Sequence, residues 1–122
     1  MNKENTPYSK EEILDILRLL WINDSLTQRE LSNSLSISVG KTNYLLKLLI
    51  KNNLIEIKIS ALPGRKTKKV RYMVTKKGVD QKLYLTNYFL KKKEEEYLQL
   101  REEIGKISQR ELSTNKTYEN IE

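Results

Sequence analysis

The apolar positions between Thr27 and Asn53 fall into two helix-spaced sets separated by a three-residue break. Leu31 and Leu35 lie four residues apart on one helical face, and Thr27 stands three residues before Glu30, the spacing of a capping box. Ser36-Ile37-Ser38 interrupts the pattern, with Ile37 as the expected buried pivot. Ser38 then suits the N-cap of a second helix whose inward stripe is Thr42, Leu45, Leu46, Leu49 and Ile50. Val39, Gly40, Lys41, Asn43, Tyr44 and Lys47 are left on or near the outward face. A short polar helix face presented after a helix and a tight break has the shape that enters a DNA major groove. Taken alone, the segment also fits a plain helical hairpin.

The flanking patterns favour the first reading. Ser9 and Glu12 repeat the capping-box spacing at the start of a helix expected over 9–23. Its Ile13, Leu14, Ile16, Leu17, Leu20 and Trp21 are too many for a narrow stripe and predict burial on more than one side. After Asn52-Asn53, a candidate left-handed helix terminus, Ile55, Ile57 and Ile59 alternate with Glu56 and Lys58 as a half-buried strand over 54–59. Residues 69–74 read as a second strand. The loop between them, 60–69, holds the turn signal Pro63-Gly64.

Thr75 is the expected cap of a long last helix over 76–110. Leu83, Leu90, Tyr97 and Ile104 recur every seven residues, with Thr86, Lys93, Leu100 and Ile107 three positions later. Thr86 and Lys93 are polar, so the seam is good only from about residue 97 to 107. Val79, Leu83, Tyr84, Tyr88 and Phe89 are expected to pack on the preceding domain or on a partner. Glu96 and Arg101 have the spacing of a parallel interhelical ion pair, although an antiparallel or crossing arrangement is equally open.

The expected fold class is mainly α with a small β-hairpin: a winged helix-turn-helix followed by a long C-terminal dimerisation helix. The expected domains are a flexible N-terminus at 1–8, the winged domain at 9–75, the helix at 76–110 and a disordered tail at 111–122.

Charge sharpens this picture. The chain of 122 residues carries a net +7, but residues 38–93 alone hold fifteen basic and two acidic side chains. From Lys58 through Lys77 there are eight basic residues and no acid. A block of that size, placed on a candidate recognition helix and wing, points to a polyanion partner. A solvated lysine-rich face is the bland alternative, and position argues against it.

There are no cysteines and no histidines, which removes thiolate chemistry and the commonest general base and metal ligand. Glu94, Glu95 and Glu96 are consecutive on a helix and point around it without converging. An enzyme is not expected, and no cofactor or metal is implied. No apolar run approaches the roughly 18 residues of a membrane span, and no signal-peptide core is evident. The expected location is the cytoplasm, with no membrane partner.

DNA binding divides into base contacts that specify and phosphate contacts that position. The base candidates are Val39, Gly40, Lys41, Asn43 and Tyr44. Asn can pair with adenine, Lys can donate to guanine, and Val can touch a thymine methyl; Gly40 would let the backbone approach closely. The backbone and wing candidates are Ser38, Lys47, Lys51, Arg65, Lys66, Lys68, Lys69 and Arg71, with Arg65 best placed to enter a minor groove. The dimer-interface candidates are Leu83, Leu90, Tyr97, Leu100, Ile104 and Ile107, with the partner's first helix contributing Ile13, Leu17 or Trp21. A small-molecule effector is possible but not indicated; the helically spaced Tyr84, Tyr88, Phe89 and Tyr97 read better as core or interface.

The run 27–53, a basic wing and Val74-Thr75-Lys76-Lys77-Gly78 together resemble the MarR-type winged-helix transcriptional regulators, many of which begin a helix after the second wing strand with (L/V)-T-x-x-G. SVGKTNYLLKLLIKNNLI at 38–55 and LTNYFLKKKEEEYLQLREEI at 85–104 are most similar to the small subgroup associated with extracellular polysaccharide (EPS). The resemblance spans roughly 10–107. It implies a DNA-binding homodimer with terminal helices at the interface. The expected function is therefore regulation of transcription through sequence-specific binding of double-stranded DNA. The alternative is a protein-interaction adaptor within a larger complex.

Overall fold

The computed structural model describes the backbone of residues 8–119 and the side chains of residues 8–112. Expectations for 1–7 and 120–122 lie outside the described residues. The order is α1 (Lys10–Ile22), α2 (Gln28–Leu35), α3 (Val39–Lys51), β1 (Ile55–Ala61), β2 (Lys68–Val74) and α4 (Lys76–Glu119).

Local chemistry starts and stops the first three helices. Ser9 and Thr27 both close full capping boxes, each accepting from the backbone N–H three residues on while Glu12 or Glu30 reaches back. Ser38 caps α3 by accepting from the Lys41 N–H. Helix α2 ends with Ser36 left-handed (φ 56°) and the Ile37 N–H bonded to the Ser32 carbonyl. Helix α3 ends the same way. Asn53 has φ 59°, and the Leu54 N–H donates to the Leu49 carbonyl at 2.9 Å. Ile37 is half-buried, a less complete pivot than expected.

The core joins Leu14, Ile16, Leu17 and Leu20 of α1, Leu31 of α2, and Leu45, Leu46 and Leu49 of α3 to Ile55 and Leu85. Burying each of these fully contributes about 1.5–3 kcal/mol before ordering costs. Trp21 does not join them. It is 56% exposed, with the Lys82 ammonium 5.4 Å from its ring centre. At position 21 the helix has turned its face outward, and Ile22 beside it is exposed too.

Strands β1 and β2 form one antiparallel hairpin, with Ile55 opposite Val74, Ile57 opposite Tyr72 and Ile59 opposite Val70. They run longer than expected, so the connecting loop shrinks to 62–67. The expected half-burial of β1 holds only at its base: Ile55 is buried, but Ile57 and Ile59 (58%) are exposed. The alternation describes a ladder face correctly, but no described residue covers the outer half of that face. Arg65 N–H donates to the Leu62 carbonyl, with Pro63 and Gly64 (φ 68°) between them, the pattern of a type II turn.

The start of α4 is fixed by one residue. The Thr75 hydroxyl accepts from the Gly78 N–H at 3.0 Å and donates to the Asn53 carbonyl at 2.7 Å, tying the α4 cap to the α3 terminus. A Cβ on Gly78 would stand 2.1 Å from the Leu54 carbonyl oxygen and 2.8 Å from a Val74 methyl. Only glycine permits that approach. Leu85, two turns later on the same face, is 2% exposed.

Of the two surfaces expected for Leu83 and Tyr84, the preceding domain or a partner, the first does not hold. Leu83 is about 200° around the helix from Leu85 and is 61% exposed, and Tyr84 is exposed as well. Chain contacts divide the protein at Thr86, and Asn87 onward forms a separate unit. In that unit α4 continues as helix to Glu119, where a tail from 111 was expected. No proline and no glycine follow Gly105, so nothing in the sequence forces a stop.

Candidate nucleic-acid interface

Helix α3 turns Thr42, Leu45, Leu46 and Leu49 inward, so the first-turn residues Val39 and Gly40 are exposed together with Tyr44 and Lys47. A Cβ on Gly40 would meet only the Ser38 Oγ, 4.0 Å away, so internal packing does not require glycine there. Ser38 is occupied as a cap. Its carbonyl also accepts from the Thr42 hydroxyl at 2.9 Å, a bond that satisfies the one buried polar side chain on α3's inward face. Lys51 is exposed in the last turn.

Two of the nominated cations are held by carboxylates from other elements. The Lys41 ammonium lies 2.7 Å from a Glu12 oxygen, joining the start of α3 to the start of α1. Arg71 grips Asp24 through two bonds, Nε to Oδ1 at 3.1 Å and Nη2 to Oδ2 at 2.6 Å. The Tyr72 N–H donates to the Asp24 carbonyl at 3.0 Å, so this loop is tied to β2 twice.

The charges respond accordingly. Burial opposes ionisation of Glu12, but the Lys41 bond, the Ser9 N–H and the Lys41 charge outweigh it and hold its pKa below the ordinary value. The Arg71 bond does the same for Asp24 against partial desolvation. In return, Asp24 raises Arg71. The Thr27 N–H lowers Glu30.

The wing differs. Arg65, Lys66, Lys68 and Lys69 are all exposed and make no ion pair within 4.0 Å among the described residues. Of these, Lys69 is close enough to Asp24 to help lower its pKa. The wing and the exposed edge of α3 thus offer exposed cations and polar groups, whereas Lys41 and Arg71 brace the elements that carry them.

The asparagine nominated for base reading also has a partner. Gln28, first residue of α2, places its Nε2 3.5 Å from Asn43 Oδ1 and 3.2 Å from the Tyr72 hydroxyl. Glu12, Asp24, Gln28 and Tyr72 were not identifiable as site residues from sequence. Each acts across at least fifteen positions, and no local spacing marks them. The nominated interface residues Leu83, Leu90, Tyr97, Leu100, Ile104 and Ile107 are all exposed on α4. Ile13 and Leu17, by contrast, are buried in the core of their own chain and unavailable to a partner, a correction to the expected pairing surface.

Residues 13–56 match the family described as "Winged helix-turn-helix DNA-binding", from α1 to the start of β1. No curated protein is significantly similar to the chain in sequence. Among solved structures, a mutant of MepR from Staphylococcus aureus superposes with a TM-score of 0.62 at 21% identity, covering 98% of this chain and 84% of that one. A complex of MepR with DNA gives 0.59 at 21% identity, covering 98% and 83%. The adhesin competence repressor AdcR of Streptococcus pyogenes gives 0.56 at 20% identity, covering 97% and 81%. At such identities the likeness establishes the fold: this chain is a winged helix-turn-helix with a long C-terminal helix. No helix of the described residues is long and apolar enough to cross a membrane.

Proposed function

We propose that the protein is a homodimeric regulator of transcription that binds double-stranded DNA sequence-specifically, in the manner of the MarR-type regulators it resembles. The observation that carries this reading is the pairing of an outward α3 face, with Val39, Gly40, Tyr44 and Lys47 exposed and Asn43 half-buried beside them, with a wing of exposed cations that make no ion pair among the described residues. Val39, Gly40, Asn43 and Tyr44 would meet base edges in the major groove. Lys47, Lys51, Lys66, Lys68 and Lys69 would hold phosphates, and Arg65 at the Pro63-Gly64 turn would enter the minor groove. Lys41 and Arg71 take bracing roles because Glu12 and Asp24 already neutralise them.

The fold is supported by the match over 13–56, and one fold neighbour, MepR, is described as a transcription regulator of a multidrug efflux pump. Another structure holds MepR with DNA. The nearer resemblance to the EPS-associated subgroup rests on the runs 38–55 and 85–104 alone.

The dimer would use α4. From Lys91 to Leu112 every residue is exposed, including Tyr97, Leu98, Leu100, Ile104 and Ile107. Each such side chain forfeits about 1.5–3 kcal/mol relative to full burial. A two-fold pairing would give two recognition helices spaced about one DNA turn apart.

Selection from a random duplex pool tests the function. The expected result is one enriched motif made of two related half-sites. An adaptor of protein complexes would enrich no motif, and that outcome would overturn the proposal.

A further inference from the structure

We infer that Gln28 sets the direction in which Asn43 presents its amide, and that Tyr72 of the wing strand holds Gln28 in place, making these two residues positioning residues for base recognition. This rests on the DNA-binding reading above. The Gln28 amide nitrogen has two N–H groups and faces two acceptors, Asn43 Oδ1 at 3.5 Å and the Tyr72 hydroxyl at 3.2 Å. Tyr72 is a fixed post. It is 7% exposed, its backbone N–H is bonded to the Asp24 carbonyl, and it stands opposite Ile57 in the hairpin.

Gln28 is not needed to begin α2, because Thr27 and Glu30 already complete that cap. Its side chain is therefore spent on the two contacts, which reach 15 and 44 positions along the chain.

The consequence for Asn43 follows from amide geometry. With Oδ1 facing the Gln28 donor, Nδ2 occupies the other branch, and it donates to no protein acceptor among the described residues. Asn43 thus presents donors first, with one oxygen lone pair remaining. That suits a purine N7, and adenine N7 with the adjacent N6 amino group most fully. An unrestrained asparagine could turn over and lead with its oxygen, accepting from cytosine or adenine amino groups instead. The restraint converts an ambidextrous side chain into a reader with one preferred sense. It also links the wing to the recognition helix, so displacement of β2 would be felt at a base contact.

Motif selection with the full chain and its variants provides the test. Asn43→Ala identifies the base pair that this residue reads by losing the preference there. Gln28→Ala should lose about three- to ten-fold of the preference at that same position. Other positions and the salt dependence should not change. Tyr72→Phe, which removes only the hydroxyl, should give a smaller loss at the same position. Gln28→Glu can only accept, so it should turn the Asn43 amide over and shift the preference toward a base offering an amino donor. A merely structural role would not produce that shift.

The inference is overturned if Gln28→Ala leaves the preference intact. It is equally overturned if that variant weakens all sequences alike with a shallower salt dependence, the mark of a phosphate contact. A wild-type chain that selects no motif would instead overturn the DNA-binding reading itself.

Discussion

The two stretches of α4 on either side of Thr86 are continuous helix, yet they solve opposite problems. Before Thr86 the helix is fixed by Gly78 against the Leu54 carbonyl and by Leu85 in the core. From Lys91 to Leu112 its side chains are exposed without exception, and about a quarter of them are apolar. The first stretch is specified within one chain by close backbone approach. The second carries apolar side chains at heptad spacing, and they are exposed. Helix periodicity alone therefore says little about what a helix packs on. The deciding residues are those, like Gly78, whose chemistry tolerates only one neighbour.

The largest expected effect falls on the first stretch. Gly78→Ala forces a Cβ into the Leu54 carbonyl and should cost on the order of 3–5 kcal/mol, read as a fall in the denaturant midpoint. A Gly105→Ala control has open space around it and should be neutral or slightly stabilising. If the two variants melt alike, the docking account of α4 is wrong.

The second stretch is probed by assembly. Replacing Leu100 and Ile104 with Ala, or ending the chain at Lys92, should raise the dimer dissociation constant at least ten-fold in sedimentation equilibrium. The melting of the winged domain measured at low concentration should change little. An intact chain that is monomeric at micromolar concentration would remove the dimer from the account.

Within the winged domain, the paired and unpaired cations should separate in a salt titration of DNA binding. Lys68→Ala is expected to reduce the slope of log K against log salt by about 0.9, and Lys41→Ala by much less. Equal reductions would mean that Lys41 leaves Glu12 to meet a phosphate.

The smallest effect concerns pH. Glu12, Asp24 and Glu30 have folded-state pKa values below their ordinary ones. Their stabilisation is therefore complete above the ordinary carboxylate range and lost as pH falls through and below it. With no histidine or cysteine in the chain, the melting temperature should be flat between about pH 6 and 8 and decline below about pH 4.5. A transition near pH 6.5 would contradict this.

Much of the fold was legible in the sequence because its signals are local. Ser9, Thr27 and Ser38 cap helices through neighbours three residues away, and Pro63-Gly64 makes its own turn. The inward stripe of α3 followed from spacing alone at Thr42, Leu45, Leu46 and Leu49, whereas Ile50 is only half-buried. What stayed hidden is long-range. Leu83, Leu90, Tyr97 and Ile104 form a regular series but are exposed, whereas Leu85, which carries the docking, stands outside that series. Trp21 looked like core by composition, but its angle on α1 puts it outside. Of the candidate interface, the exposed face of α3 and the basic wing could be named residue by residue. The restraints on Lys41, Asn43 and Arg71 come from Glu12, Gln28 and Asp24, brought together only by folding.

The central claim is that this fold presents a sequence-reading DNA surface. It is tested most directly by measuring affinity for a selected duplex and for a scrambled duplex of equal length across a salt series. The account predicts tighter binding to the selected duplex by at least about a thousand-fold near physiological salt, with both affinities falling steeply as salt rises. Equal affinities, or no binding to either duplex even at low salt, would contradict it.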